Sequence, residues 1–157
     1  MADQAESTLS LPVELSLLYG RLLTASEQFR RQSKRFHVRY RYAELHDRFR
    51  CFATECHCWG DEVLHRIERL GSEPNFEVDT VVVTDVIRMA YDEALTKFKA
   101  ILRSATFAES AAKAAADIPT AGALGEILKH LDCKIEAVEA WRRQIDDLKD
   151  NYPLAIV

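Results

Sequence analysis

The chain has 157 residues, 48% of them apolar and 29% charged, a balance that fits one ordinary soluble domain with a single core. It shows neither a membrane-spanning apolar run nor a signal peptide, so the sequence predicts a cytoplasmic protein without a membrane span. A net charge of −4 argues against a general attraction to nucleic acid, and four cysteines without paired spacing predict free thiols that only pack.

The first predicted helix begins near Pro12, an early helical position that suits proline, and runs to about Phe36. Its apolar residues repeat at intervals of three and four: Leu15, Leu18, Leu22, Ala25 and Phe29. A basic run interleaved with aromatic residues starts at Arg30. Two interpretations are open, the solvated end of a helical hairpin or a patch that binds the phosphates of nucleic acid. The residues that would contact nucleic acid are Arg31, Lys34, Arg35, Arg39 and Arg41.

The second predicted helix carries an apolar face and ends at Leu70-Gly71, because glycine commonly terminates helices. Beside the apolar face runs a second stripe within an arc of about 100°, made of His46, His57, Asp61 and His65. Neutral imidazoles and a carboxylate one helical turn apart suit a divalent metal. The stripe lies at the edge of the packing surface, where a neighbouring helix or another subunit could complete a site. The alternative is a set of surface residues hydrogen-bonded to their neighbours.

Residues 72–83 contain proline and a β-branched run, and they predict an extended connection that can travel the length of a helix. Thr84-Asp85 can cap a third helix, which an Ala-rich stretch extends to about Ala116, and a fourth helix follows a break at residues 117–120. Four helices with a short first and a long second connection predict an all-α, ferritin-like four-helix bundle with one long crossover connection. We expect a single domain over residues 1–157, with tails at 1–9 and 151–157.

Several of these positions occur at spacings similar to those of Dps proteins, the miniferritins of the ferritin-like superfamily. His37 lies near the end of the first helix and His46 near the start of the second, with Asp61 fifteen residues later and His65 four residues beyond it. Dps proteins are hollow dodecamers that oxidise iron(II) with oxygen or peroxide and store it as ferric mineral. The resemblance implies a dodecameric cage built from two-fold dimers. It also implies that His37 and His46 of one subunit, with Asp61 and His65 of its neighbour, bind iron as a di-iron or mononuclear site.

The chain also departs from the Dps pattern. His65 stands where Dps proteins have a glutamate, and Arg50 stands where they have a further acidic ligand. A histidine-rich site should favour zinc or give altered iron chemistry. His57 has no counterpart in Dps, so it is an extra ligand or a partner of Asp61. Residues 1–10 contain no Lys or Arg, so we do not expect DNA binding through the lysine-rich tail that some Dps members use.

A second resemblance is to bacterioferritin, which binds a di-iron centre inside one bundle. The segment Leu70–Phe76 is similar to the one that follows the second helix in that family. Among the ligand positions, Arg21 replaces the first glutamate, Glu55-x-x-Cys58 lacks the histidine, and no histidine follows Asp132 at the required spacing. Asp92 or Glu93 could still serve on the third helix. We therefore expect the intrabundle site to be lost, and haem binding is not expected because no methionine occupies the haem-ligating position.

The sequence as a whole predicts a Dps-like miniferritin that oxidises and stores iron(II) and protects against oxidative damage. Two alternatives stay open. One is a ferritin-like protein without ferroxidase activity that binds zinc or has a structural or regulatory role. The other is a helical protein that binds nucleic acid through the basic hairpin.

Overall fold

The computed structural model describes residues 9–40 and 43–149, with the side chains of 38–40 and 147–149 outside that description. Four helices run through the described ranges: α1 Leu11–Tyr40, α2 Ala43–Arg69, α3 Ile87–Ala114 and α4 Ile118–Lys149. Residues 70–86, named here the crossover connection, contain no helix or strand. The prediction of an all-α, ferritin-like four-helix bundle with one long crossover is confirmed. Both predicted tails lie almost wholly outside the described residues.

The helices pack as two hairpins, α1 with α2 and α3 with α4, and the hairpins meet mainly where α1 contacts α3. The first helix continues four residues beyond its predicted end at Phe36, further along the basic run that starts at Arg30. None of the helices within residues 9–40 and 43–149 is both long and apolar enough to cross a membrane.

Aromatic rings fill the centre of the bundle. Phe52 of α2 lies 5.5 Å from Phe29 of α1 and 5.3 Å from Phe98 of α3, measured between ring centroids. All three rings are at most 1% exposed. Trp141 of α4 lies 6.0 Å from Phe52, so one cluster joins all four helices. Ring pairs at these distances add stability beyond the area that they bury.

The crossover connection lies along α1 and is held by polar side chains that recur at every fourth position of that helix, except where Gly20 interrupts them. Backbone N–H groups of the connection would lack partners without these side chains, because the connection forms no ladder or helix of its own. The bonds are Asn75 N–H to Ser16 Oγ at 3.2 Å, Asp79 N–H to Thr24 Oγ1 at 3.1 Å, Val82 N–H to Gln28 Oε1 at 2.9 Å and Thr84 N–H to Gln32 Oε1 at 3.0 Å. Gln32 also donates to the Thr84 carbonyl at 2.8 Å.

Gly20 occupies the closest point between α1 and the crossover connection. A Cβ at this position would lie 2.7 Å from the Glu77 carbonyl oxygen and 3.0 Å from the Phe76 Cβ. We expect Gly20→Ala to lower the free energy of unfolding by about 1–3 kcal/mol, because the backbone must shift to admit the methyl group.

The matched control for this change is Gly122→Ala in α4, where a Cβ would meet nothing within 4 Å. Alanine is the better helix former, so this control should raise the free energy of unfolding by about 0.5–1 kcal/mol. Urea unfolding at one fixed protein concentration measures both changes. Equal stability of Gly20→Ala and the unmodified protein would contradict the close packing.

The helix ends test two details of the sequence analysis. Gly71 ends α2 with a φ of +70°, and the Ser72 N–H bonds the Ile67 carbonyl at 3.2 Å, so the predicted glycine stop is confirmed. The predicted cap of α3 is wrong, because its N-cap is Val86 and no side chain caps it. Asp85 instead lies 3.3 Å from Arg35 of α1.

Candidate metal site

The first half of the predicted site, His37 and His46, lies where the end of α1 meets the start of α2. The rings of His37 and His46 lie 4.8 Å apart between centroids, although the two residues belong to different helices. Ser33 of α1 donates to the His46 carbonyl at 2.8 Å, which ties the two helices together at this level. His37 is exposed and His46 is half-buried, so both imidazoles can reach an ion that arrives from solvent.

The second half lies further along the outer face of α2. The His57 Nε2 is 3.6 Å from the Asp61 Oδ2, one helical turn away, and both side chains are more than 60% exposed. His65 is exposed one turn beyond Asp61. These three residues therefore point into solvent as a ladder, with no other part of the described chain covering them.

The two halves cannot bind the same ion within one chain. Asp61 follows His46 by fifteen residues, which separates them by about 22 Å along the axis of α2. Among residues 9–40 and 43–149, no group of three or more His, Cys, Asp or Glu side chains could hold a metal. A metal site that uses both halves requires a second copy of the chain, so the predicted ligand set stays a prediction.

The interior of the bundle does not fit a di-iron group. Its centre is the aromatic cluster of Phe29, Phe52 and Phe98. The neighbouring Cys56 is fully buried, and burial raises the pKa of its thiol, which opposes formation of the thiolate.

Two of the carboxylates considered for an interior site, Glu55 and Asp92, are paired with cations. Glu55 accepts a hydrogen bond from Lys134 at 2.9 Å, and Asp92 accepts one from Arg142 at 2.7 Å. An ammonium or guanidinium beside a carboxylate disfavours a divalent metal at the same place through charge repulsion. The loss of the interior site stays a prediction, and these two contacts would oppose metal binding there.

The cysteines depart from the expectation that they only pack. Cys56 is buried, but Cys51, Cys58 and Cys133 are exposed. The sequence carried a signal of this exposure: Cys51 and Cys58 are spaced at seven residues from each other and from the polar His65, which places all three on one line of the helix.

The basic residues at the end of α1 are partly neutralised within the chain. Arg30 and Arg31 both bond Glu27 and lower the pKa of that carboxyl to about 2. Arg35 pairs with Asp85, as described above, while Lys34 is exposed. The side chains of Arg39 and Arg41 lie outside the described residues. Nucleic-acid binding by Arg31, Lys34, Arg35, Arg39 and Arg41 therefore stays a prediction.

Comparison with known proteins agrees with the fold. No family model matches the sequence, and no curated protein matches it either. Among solved structures, the chain is similar to the bacterioferritin of Desulfovibrio desulfuricans, which was crystallised to show its diiron site in different catalytic states. The TM-score is 0.83 with 21% sequence identity, over 90% of this chain and 83% of that one. The architecture is thus that of a ferritin-like four-helix bundle. The similarity to Dps stays a resemblance of sequence motifs.

Proposed function

We propose that the protein is a ferritin-like iron-storage protein that oxidises iron(II) at a site shared by two copies of the chain. The observation that carries this proposal is the pairing of His37 with His46 at 4.8 Å between ring centroids, at one end of an exposed stripe that continues through His57, Asp61 and His65. Within residues 9–40 and 43–149 no cluster of three or more ligand-type side chains could hold a metal in one chain, and this exposed stripe offers side chains that two copies could share.

The roles of the residues follow from their chemistry. His37 and His46 of one copy bind iron(II) through neutral imidazoles, and Asp61 and His65 of the other copy supply a carboxylate and a third imidazole. His57, which lies 3.6 Å from Asp61, orients that carboxylate. Two iron(II) ions give one electron each to a peroxide, which takes up two protons and leaves as two water molecules. The ferric product collects as mineral inside a dodecameric cage of two-fold dimers.

A second candidate function is zinc binding without iron oxidation. It is favoured by the composition of the ligand set, in which imidazoles outnumber carboxylates because His65 and Arg50 stand at the positions that are acidic in Dps. Zinc accepts nitrogen ligands readily and has no redox chemistry. A protein of this kind would keep the assembly and lose the oxidation.

Iron(II) oxidation and metal retention by the purified particle test the proposal. We expect oxidation faster than in buffer and retained ferric iron, in a particle whose mass by light scattering is that of a dodecamer. The control is His130→Ala, which removes an exposed histidine of α4 outside the stripe and should leave the rate unchanged. A rate equal to that of buffer, with no retained iron, would contradict the proposed function. Tight zinc binding in that same sample would support the second candidate.

A further inference from the structure

Three exposed side chains follow one another along the outside of α2 at intervals of seven residues: Cys51, Cys58 and His65. Seven residues fall about 20° short of two full helical turns, so the three residues form a narrow line. Nothing in the described part of the chain covers this line. The two thiols are about 10 Å apart along the helix axis, too far to form a disulfide within one chain.

The proposed two-copy site fixes how two α2 helices would lie against each other. His46 of each copy faces Asp61 and His65 of the other, and this reciprocal contact requires two antiparallel helices related by a two-fold axis. In antiparallel helices, every step toward the C-terminus of one is matched by a step toward the N-terminus of the other. Cys51 lies five residues beyond His46, and Cys58 lies five residues before the midpoint between Asp61 and His65. The same register therefore sets Cys51 level with Cys58 of the second copy.

Charge supports a second copy as the occupant of this face. In the same register Arg50 of one copy lies within two residues, about 3 Å along the axis, of the level of Asp61 in the other. Both are about two-thirds exposed in the single chain, where the partner of Arg50 is Asp47 at 4.0 Å. In the metal-free dimer an arginine and an aspartate placed near each other in this way attract each other, and a bound ion would compete with Arg50 for the Asp61 carboxylate.

We propose that Cys51 of one copy and Cys58 of its two-fold partner form a disulfide under peroxide, twice in each dimer. This inference rests on the proposed function, because the shared metal site sets the register. The two bonds would lock the halves of the metal site together under the oxidising conditions in which peroxide is also the oxidant of iron(II).

Peroxide forms each disulfide in two steps. The thiolate of one cysteine attacks an oxygen of hydrogen peroxide, which breaks the O–O bond and leaves a sulfenic acid and a hydroxide that takes up a proton as the first water molecule. The thiolate of the other cysteine then attacks the sulfenic sulfur, and the hydroxide that leaves takes up a proton as the second water molecule. Each disulfide oxidises two thiols and reduces one peroxide, so a dimer consumes two peroxides.

The test is to treat the native particle with hydrogen peroxide, alkylate the remaining thiols and separate the chains by denaturing electrophoresis without reductant. We expect a band at twice the subunit mass of 17.9 kDa, and a linked peptide that joins Cys51 to Cys58. Cys51→Ser and Cys58→Ser should each abolish the band, and the control Cys133→Ser should keep it. Linkage of Cys51 to Cys51, or of Cys58 to Cys58, would overturn the register, and so would the absence of any band.

Mixing the two variants gives a sharper readout. A dimer of one Cys51→Ser copy and one Cys58→Ser copy retains a single facing pair of thiols. After random reassembly, about half of the dimers should become cross-linked although neither variant cross-links alone. A mixture without the band would overturn the proposal.

The cross-linking experiment and the iron(II) oxidation assay can fail independently of each other. If no cross-link forms while iron(II) oxidation still depends on His46 and His65, the disulfide proposal fails and the proposed function stands. If the Cys51–Cys58 cross-link forms in a particle that oxidises no iron, the disulfide proposal stands and the proposed function fails.

Discussion

His46→Ala is expected to slow iron(II) oxidation on the order of 100-fold, since removal of a group that holds or orients a metal commonly has an effect of this size. The loss should be large because His46 supplies one of only two imidazoles from its half of the site, and its ring partner His37 cannot replace it. The fold should be kept, because His46 contributes to the edge of the bundle rather than to its core. Stopped-flow measurement of iron(II) oxidation, with circular dichroism of the same sample, checks both parts.

His65→Ala should cause a loss of similar size, because His65 lies in the other half of the site. His130→Ala is the control for both variants, since it removes an exposed histidine from another helix. An unchanged rate in either His46→Ala or His65→Ala would remove that residue from the site.

Phe52→Ala is expected to lower the free energy of unfolding by about 3–5 kcal/mol, the usual cost of truncating a buried phenylalanine. Phe52 is 1% exposed and contacts rings on each of the other helices, so the cavity left by truncation cannot be closed by one neighbour alone. Its ring also lies 5.4 Å from the Nζ of Lys134, which would lose this cation–π contact.

The control for this change is Met89→Ala, because Met89 is 52% exposed on α3. Truncation there should change the free energy of unfolding by less than about 0.5 kcal/mol. Denaturant unfolding at a fixed protein concentration compares the two variants. A loss below about 1 kcal/mol for Phe52→Ala would show that the aromatic cluster does not hold the bundle together.

The architecture could be predicted from the sequence because it depends on local patterns. Apolar residues at intervals of three and four marked the four helices, Gly71 marked the end of α2, and the length of the crossover connection implied its path. The polar residues of α1 were harder to interpret. Thr24, Gln28 and Gln32 are buried, yet they bond to the connection rather than to solvent, and helical periodicity does not reveal a partner 52 to 55 residues away.

The site could be predicted only in part. The ladder of His57, Asp61 and His65 follows directly from helical spacing, and the structure shows it on the outside of α2. The approach of His37 to His46 depends on the extension of α1 through the basic run to Tyr40, which periodicity had ended at Phe36. A metal site that uses both halves needs a second copy of the chain. A single sequence indicates such a contact between copies only through the spacing of its residues.

The central claim is that the two halves of one metal site come from two copies of the chain. The most direct measurement uses His46→Ala and His65→Ala, each inactive alone, dissociated and reassembled together in equal amounts. Random pairing makes about half of the dimers mixed, and each mixed dimer has one of its two sites intact, so about a quarter of the wild-type iron(II) oxidation should return. A mixture that stays as inactive as its two parents would contradict a site shared between copies.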